Sequence, residues 1–447
     1  MFGKINLNED RIGKIFLFYA LPGVFSSLAV SIYGIVDGIF VGRVVGSIGL
    51  AGVNLSMPVM SLALAMAALI GIGGNTFVCI ELGRQNQEQA RCYFTMVWKV
   101  LLIFAAAFFF AGLLFSRQIA GLLGADGLLQ ELSGQYLSVF CLGSAPFLFN
   151  AYLRASLHAT AKPNIVMLGS IAASIVNIVL DYIFIVRWGW GVQGAALGTV
   201  IGEAVAFCLY VPFFIGKDKV LHWVKSKASF RLLGKMMYNG SSEAIAALSA
   251  GITTMVINFA LLNYIGDIGV SAFSVVEYVA YILCATILGI SQGLGSLISY
   301  YYGSSCPAKI KKLLRLSCLT ACIIGLVSAL FVWFSGELLI RLFTTESAVI
   351  SLAQEIANIY IIGFLVLGVN IIISAYFTAI EKALESALIS FLRSCVFIIA
   401  GVNLLPLLLG PSGIWISIPL AEFLALTVAL LLLRASLKTL DLKKPSI

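Results

Sequence analysis

The chain has 447 residues, 61% of them hydrophobic and only 11% charged, with a formal net charge of +8. A soluble domain carries about 25% charged residues, and no soluble fold of this length hides so much apolar surface, because its exterior still meets water. The composition excludes a soluble fold and requires an integral membrane protein; nor does the positive charge point to nucleic acid, since the basic residues fall between apolar segments.

The polar start MFGKINLNEDRIGK has no short apolar core followed by a small-residue cleavage site, so no cleaved signal peptide is expected. A spanning helix needs about 20 apolar residues. Twelve segments qualify: 14–41, 48–79, 93–116, 130–156, 163–186, 192–215, 236–264, 269–302, 313–335, 349–380, 384–409 and 412–434. Several are longer than one crossing requires, so tilt or bending is expected. Pro22, Pro58, Pro146, Pro406 and Pro419 fall inside spans, and each removes a backbone donor where a bend can form.

Lys and Arg orient the set. With the N-terminus in the cytoplasm, the inner side receives Lys4, Arg11, Lys14, Arg84, Arg91, Arg154, Lys162, Lys309, Lys311, Lys312, Arg315, Lys382, Arg434, Lys438, Lys443 and Lys444, together with the basic stretch 217–235. The outer side receives Arg43, Arg117, Arg187 and Arg341, so both termini are placed in the cytoplasm. The nine cysteines are scattered without a CxxC, and read as small core residues rather than a disulfide framework.

The chain repeats itself. At an offset of 220, Gly73 matches Gly293, Gly83 matches Gly303, Asn150 matches Asn370 and Lys162 matches Lys382; at 219, Gly191 matches Gly410 and Glu203 matches Glu422. Six spans separate the copies, so they share orientation. The expected architecture is all-α: twelve transmembrane helices in two six-helix bundles related by a pseudo-two-fold along the membrane normal. The bundles are 1–216 and 236–447, with 217–235 as a cytoplasmic linker. Transporters use such repeats, with substrate held near mid-membrane.

Polar residues interrupt the apolar text at few places. Asn177 and Asp181 share one face of the fifth span, and Thr199 and Glu203 one face of the sixth. At 1.5 Å per residue, Asp181 lies roughly 8 Å, Thr199 roughly 10 Å and Glu203 roughly 16 Å below the outer boundary, with Asp37 of the first span at roughly 6 Å. Intramembrane ionisable residues are functional by default. The second half does not copy this layer: Ile257 stands for Asp37 and Gly401 for Asp181, while Glu243, Glu277 and Glu422 appear elsewhere. Carboxylates with aromatic residues (Tyr33, Phe40, Tyr278, Tyr281) suit a cavity for lipophilic cations. Arg393 is expected to partner one of these acids. Glu243 is either a substrate contact or a helix cap.

LPGVFSSLAVSIYGIVDGIFVGRVVGSIGLAGVNLSMPV, IGIGGNTFVCIELGRQNQEQAR, AYLRASLHATAKPNI and NIVLDYIFIVRWGWGVQGAALGTVIGE resemble the multidrug and toxic-compound extrusion (MATE) family over nearly the whole chain. The resemblance implies a two-lobed antiporter that exports organic compounds against H⁺ or Na⁺ entry. It also implies that Asp37, Asn177, Asp181 and Thr199 form the coupling site, binding Na⁺ if coupling is to sodium. Tyr182 stands where that family has proline, and His158 where an acidic residue is usual. Glu203, Tyr33, Glu243, Glu277, Tyr281 and Glu422 are the candidate substrate-cavity residues, and Pro22 the candidate hinge.

GISQG at 289–293 fits a nucleophile elbow but lies within a span with no strand before it. GWGVQG at 189–194 follows a membrane helix, so its glycines serve a tight turn rather than a dinucleotide. Gly198 and Gly202 permit close helix packing. The chain is not expected to be an enzyme, to hold a cofactor other than a coupling ion, or to bind nucleic acid. Its expected partners are a small organic substrate and the lipid bilayer, as a monomer in a prokaryotic inner membrane. The alternative is a flippase for a lipid-linked saccharide, whose phosphates call for several intramembrane Lys or Arg; only Arg393 and Lys99 stand out.

Overall fold

A bilayer offers no water to the backbone, so each apolar segment satisfies its N–H and C=O groups within its own helix. The computed structural model describes residues 6–7, 9–226, 229–341, 344 and 346–442, and among them no strand occurs. Eleven helices are long and apolar enough to cross a membrane: α1 (Ile12–Val45), α2 (Ile48–Gly83), α3 (Gln87–Leu122), α5 (Pro163–Arg187), α6 (Gly191–Phe214), α7 (Phe230–Tyr264), α8 (Asp267–Gly303), α9 (Pro307–Arg341), α10 (Ser347–Ala379), α11 (Ala383–Leu409) and α12 (Ser412–Leu440). The remaining expected span, α4, is the pair Gly127–Leu142 and Ser144–Ala159, bent by 53°. The break falls at Gly143, three residues before Pro146, where a Cβ would collide with Val200. Pro22, Pro58 and Pro419 lie inside continuous helices.

Among the described residues four spans contain a π-helical turn: Val41–Val45 in α1, Ala68–Ile72 in α2, Tyr182–Arg187 in α5 and Leu392–Val396 in α11. Such turns gather at functional sites. One begins four residues after Asp37, another immediately after Asp181, and the last contains Arg393.

The internal repeat is written in the backbone. Among the described residues four non-glycine positions have positive φ: Gln85 (63°), Ala161 (56°), Ser305 (54°) and Glu381 (63°). They form two pairs at the offset of 220, each in a turn between helices. Gly46 and Gly266 (91° and 86°) repeat at the same offset, and Gly191 and Gly410 (57° and 62°) at 219.

The chain divides into two compact units, Leu21–Ala244 and Met1–Ala20 with Ile245–Ile447. In the first, an aromatic cluster forms the inner core: Phe94 stacks on Tyr152 and Phe214 with ring centres 5.5 and 5.0 Å apart, and Trp98 packs on Phe149 at 4.4 Å. Residues 219–226 of the basic stretch are laced onto α3. Arg91 donates to the Val220 carbonyl (2.9 Å), Thr95 accepts from the Val224 N–H (3.0 Å) and Lys99 donates to the Ser226 carbonyl (2.8 Å). Trp223 seals the contact against Trp98, with ring centres 5.0 Å apart. The stretch expected to act as a joint is thus, over these residues, part of the first unit. In the second unit, Ile257, Leu261, Phe273, Ile356, Ile414 and Trp415 belong to one buried core. There the N-terminal segment is held through the Leu7 carbonyl, which accepts from Tyr301 (2.9 Å) and Lys309 (3.1 Å), and Tyr19 packs over Gly293. Lys4, Lys443 and Lys444, assigned to the inner side from sequence, and residues 227–228 of the linker lie outside the described residues.

Candidate functional site

Asn177, Asp181, Thr199 and Glu203 are all buried in the first unit. The i,i+4 spacing puts Asn177 and Asp181 on the face of α5 that meets α6, and Thr199 and Glu203 on the answering face of α6. Two glycines make the approach possible. A Cβ on Gly198 would collide with Asp181 Oδ1, and one on Gly202 would lie 2.9 Å from the Ala173 carbonyl and 3.1 Å from Asn177 Cβ. The Gly198/Gly202 pair therefore does more than pack helices, because it seats the Asp181 carboxylate against the α6 backbone. The Asn177 amide links the two helices. In the orientation that satisfies both its ends, its nitrogen donates to Asp181 Oδ2 (3.3 Å) and its oxygen accepts from the Thr199 N–H (3.1 Å).

Asp37 comes from α1, half-buried, and interacts through charge with Asp181. Phe40, three residues after Asp37, and Tyr182, the residue after Asp181, pack with ring centres 6.5 Å apart. Each carboxylate keeps one oxygen, Asp37 Oδ1 and Asp181 Oδ1, buried with no hydrogen-bond partner among the described residues, and no Lys or Arg there forms an ion pair with either. Tyr136 of α4, fully buried with its hydroxyl 3.6 Å from Met60 Sδ, lies within electrostatic reach of both acids. Sequence reasoning missed Tyr136, since a tyrosine in an apolar helix carries no signal of what it faces.

Glu203 lies one turn from Thr199 and is held from α4: Asn150 Nδ2 donates to its Oε2 at 2.6 Å. The second unit repeats this contact, with Asn370 Nδ2 donating to Glu422 Oε2 at 2.7 Å. Arg393 Nη1 lies 3.7 Å from Glu422 Oε1, one of the acids that the sequence offered it as partners. Glu277 of α8 is half-buried and accepts from Thr254 Oγ1 at 3.1 Å. Beside it on α7, Thr253 donates to the Ser394 carbonyl within the π turn of α11. Tyr360 lies within electrostatic reach of Glu277, Glu422 and Arg393. Glu243 sits well inside α7, which begins at Phe230, so it caps no helix start; it belongs to the first unit. Tyr33 is half-buried, and Tyr278 and Tyr281 are exposed. Pro22 is buried in α1, two residues from the division between units at Ala20 and Leu21.

The family model MatE matches twice, over residues 22–183 and 241–402, one match in each half of the repeat. The chain is 26% identical over 433 residues to the multidrug export protein MepA of Staphylococcus saprophyticus, covering 95% of this chain and 94% of the relative. It is likewise 26% identical over 427 residues to MepA of Staphylococcus aureus, with the same coverage. Among solved structures, an outward-facing multidrug resistance MATE transporter of the MOP superfamily superposes with a TM-score of 0.92 at 23% identity, covering 98% of this chain and all of the other. A MOP superfamily transporter from Pyrococcus furiosus, described as having reversed pocket polarity, superposes at 0.91 with 23% identity, covering 98% and 100% of the two chains.

Proposed function

The chain belongs to the MatE family, and from that premise we propose that it is a secondary antiporter exporting organic, mainly cationic and lipophilic compounds in exchange for H⁺ or Na⁺. The observation that carries this reading is the pair Asp37 and Asp181, each with a buried oxygen lacking any partner among the described residues. A buried carboxylate without a partner is costly. A proton removes the charge, and a sodium ion balances it, with Asn177 and Thr199 adding oxygens. In either case the site is stable when loaded, which is what coupling requires.

Loading draws Asp37 toward Asp181, and emptying it restores the repulsion between them. Asp37 is carried by α1, so the change is passed along that helix toward Pro22, the proposed hinge, which supplies no N–H to the preceding turn. Substrate cations are proposed to meet Glu277, whose carboxylate accepts a hydrogen bond from Thr254. Glu203, Glu243, Glu422, Tyr33 and Tyr281 remain secondary candidates. Arg393, a half-buried cation of the kind a phosphate-bearing substrate would need, is beside Glu422, which argues against a lipid-linked saccharide. The protein is proposed to act as a monomer in a bacterial plasma membrane, with both termini inside.

The test is export of a cationic dye from proteoliposomes under separately imposed pH and sodium gradients. One gradient drives export by the unaltered protein, and Asp37→Asn and Asp181→Asn abolish it. Wild-type rates in both variants would remove the coupling role.

A further inference from the structure

Three buried hydroxyls join α1, α5 and α6 three turns below the carboxylate layer. Ser26 Oγ donates to Ser170 Oγ at 2.6 Å, Ser170 Oγ lies 3.2 Å from Tyr210 Oη, and Tyr210 donates to the Val166 carbonyl at 2.9 Å. Ser26, Ser170 and Tyr210 are at most 5% exposed. The direction of the chain is fixed by counting protons. Tyr210 has one and gives it to Val166, so it accepts from Ser170; Ser170 therefore accepts from Ser26. Gly169 leaves the space, since a Cβ there would collide with the Tyr210 ring.

The spacing is the informative part. Ser26 to Asp37 on α1 and Ser170 to Asp181 on α5 are both separations of eleven residues, so the two pairs share the offset of 144. Eleven residues are about three turns, or roughly 16 Å, and return to the same helix face. Spans one and five run in the same direction. Pairing Ser26 with Ser170 therefore brings Asp37 level with Asp181, whereas sliding α1 by one turn would set Asp37 against Asn177.

We infer that Ser26 and Ser170, backed by Tyr210, are positioning residues that set the register of α1 on α5 and so bring Asp37 opposite Asp181. Their importance for transport rests on the coupling reading above; the register itself does not. The test uses full-length protein lacking its native cysteines and carrying Asp37→Cys with Asp181→Cys. Oxidative cross-linking of the pair is expected to be efficient, to fall severalfold when Ser26→Ala and Ser170→Ala are added, and to return with Ser26→Thr, which keeps the hydroxyl. Unchanged cross-linking would overturn the proposal.

The second readout is transport with both aspartates intact. Ser26→Ala should raise the coupling-ion concentration for half-maximal export by about tenfold, equivalent to about 1.4 kcal/mol of ion binding. KM for the dye should stay unchanged, and Ser26→Thr should restore the ion dependence. A parallel rise in KM, or no rescue by threonine, would mean a general packing defect and overturn the positioning role. Reduced cross-linking with an unmoved ion dependence would uphold the register and sink the coupling role of the carboxylates instead.

Discussion

Asn150 grips Glu203 twice, donating to its carboxylate at 2.6 Å and to its carbonyl at 2.8 Å. Asn370 grips Glu422 in the same way at 2.7 and 2.9 Å. An amide that holds both main chain and side chain fixes the rotamer of a buried acid, and the duplicated chain keeps this contact in both halves. The halves differ in charge: Arg393 approaches Glu422, whereas the matching position in the first half is Ala173.

That difference predicts unequal stability effects. Glu422→Gln strands the Arg393 charge and is expected to cost about 3–5 kcal/mol. Glu203→Gln disturbs an amide contact and should cost about 1 kcal/mol. Thermal unfolding of both variants in the same detergent compares them directly, and equal losses would show that Arg393 does not depend on Glu422.

Gly198→Ala should act on the coupling site although glycine carries no side chain. The added methyl displaces the Asp181 carboxylate, with an overpacking cost of about 1–3 kcal/mol. Ion-driven dye export should fall sharply while the protein still reaches the membrane. Gly295→Ala, where a Cβ meets nothing within 4 Å, is the control and should transport normally.

Thr199→Val separates the two candidate ions. It removes a hydroxyl oxygen from beside Asn177 and Asp181 and keeps the shape. Sodium-driven export should weaken by on the order of tenfold, the value of about 1.4 kcal/mol in ligand strength, whereas proton-driven export should hardly change. Sodium titrations at fixed pH measure this, and an unaltered sodium dependence removes Thr199 from the ion shell.

Ala161 holds a left-handed backbone at φ 56° in the turn between α4 and α5. Glycine adopts that conformation without the Cβ clash. Ala161→Gly is therefore expected to raise stability by up to about 1 kcal/mol, read as a higher melting temperature. A lower one would mean that the alanine methyl makes a contact worth more than the strain.

The helices were legible because a bilayer demands long apolar runs, and the ends of α5 and α6 lie within a few residues of the sequence expectation. The quartet Asn177, Asp181, Thr199 and Glu203 was legible because i,i+4 spacing needs no tertiary knowledge. Tyr136, Asn150 and Asn370 were not assigned to their acids, since their contacts join helices far apart in sequence. The π turns left no signature either: they change how many residues fill a turn, not which residues fill it. The docking of Trp223 beside Trp98 was hidden because a polar, basic stretch reads as solvated whether or not its backbone is tied down.

The two ends of the first half differ in when they can be completed. Every partner of the strap 219–226 named above, from Arg91 to Lys99, leaves the ribosome before the strap itself, so it can dock as soon as it is made. The Leu7 carbonyl awaits Tyr301 and Lys309, which emerge some three hundred residues later. Leu7 thus finds its place only after the second half is made, and truncating the chain before α8 would leave it without those anchors.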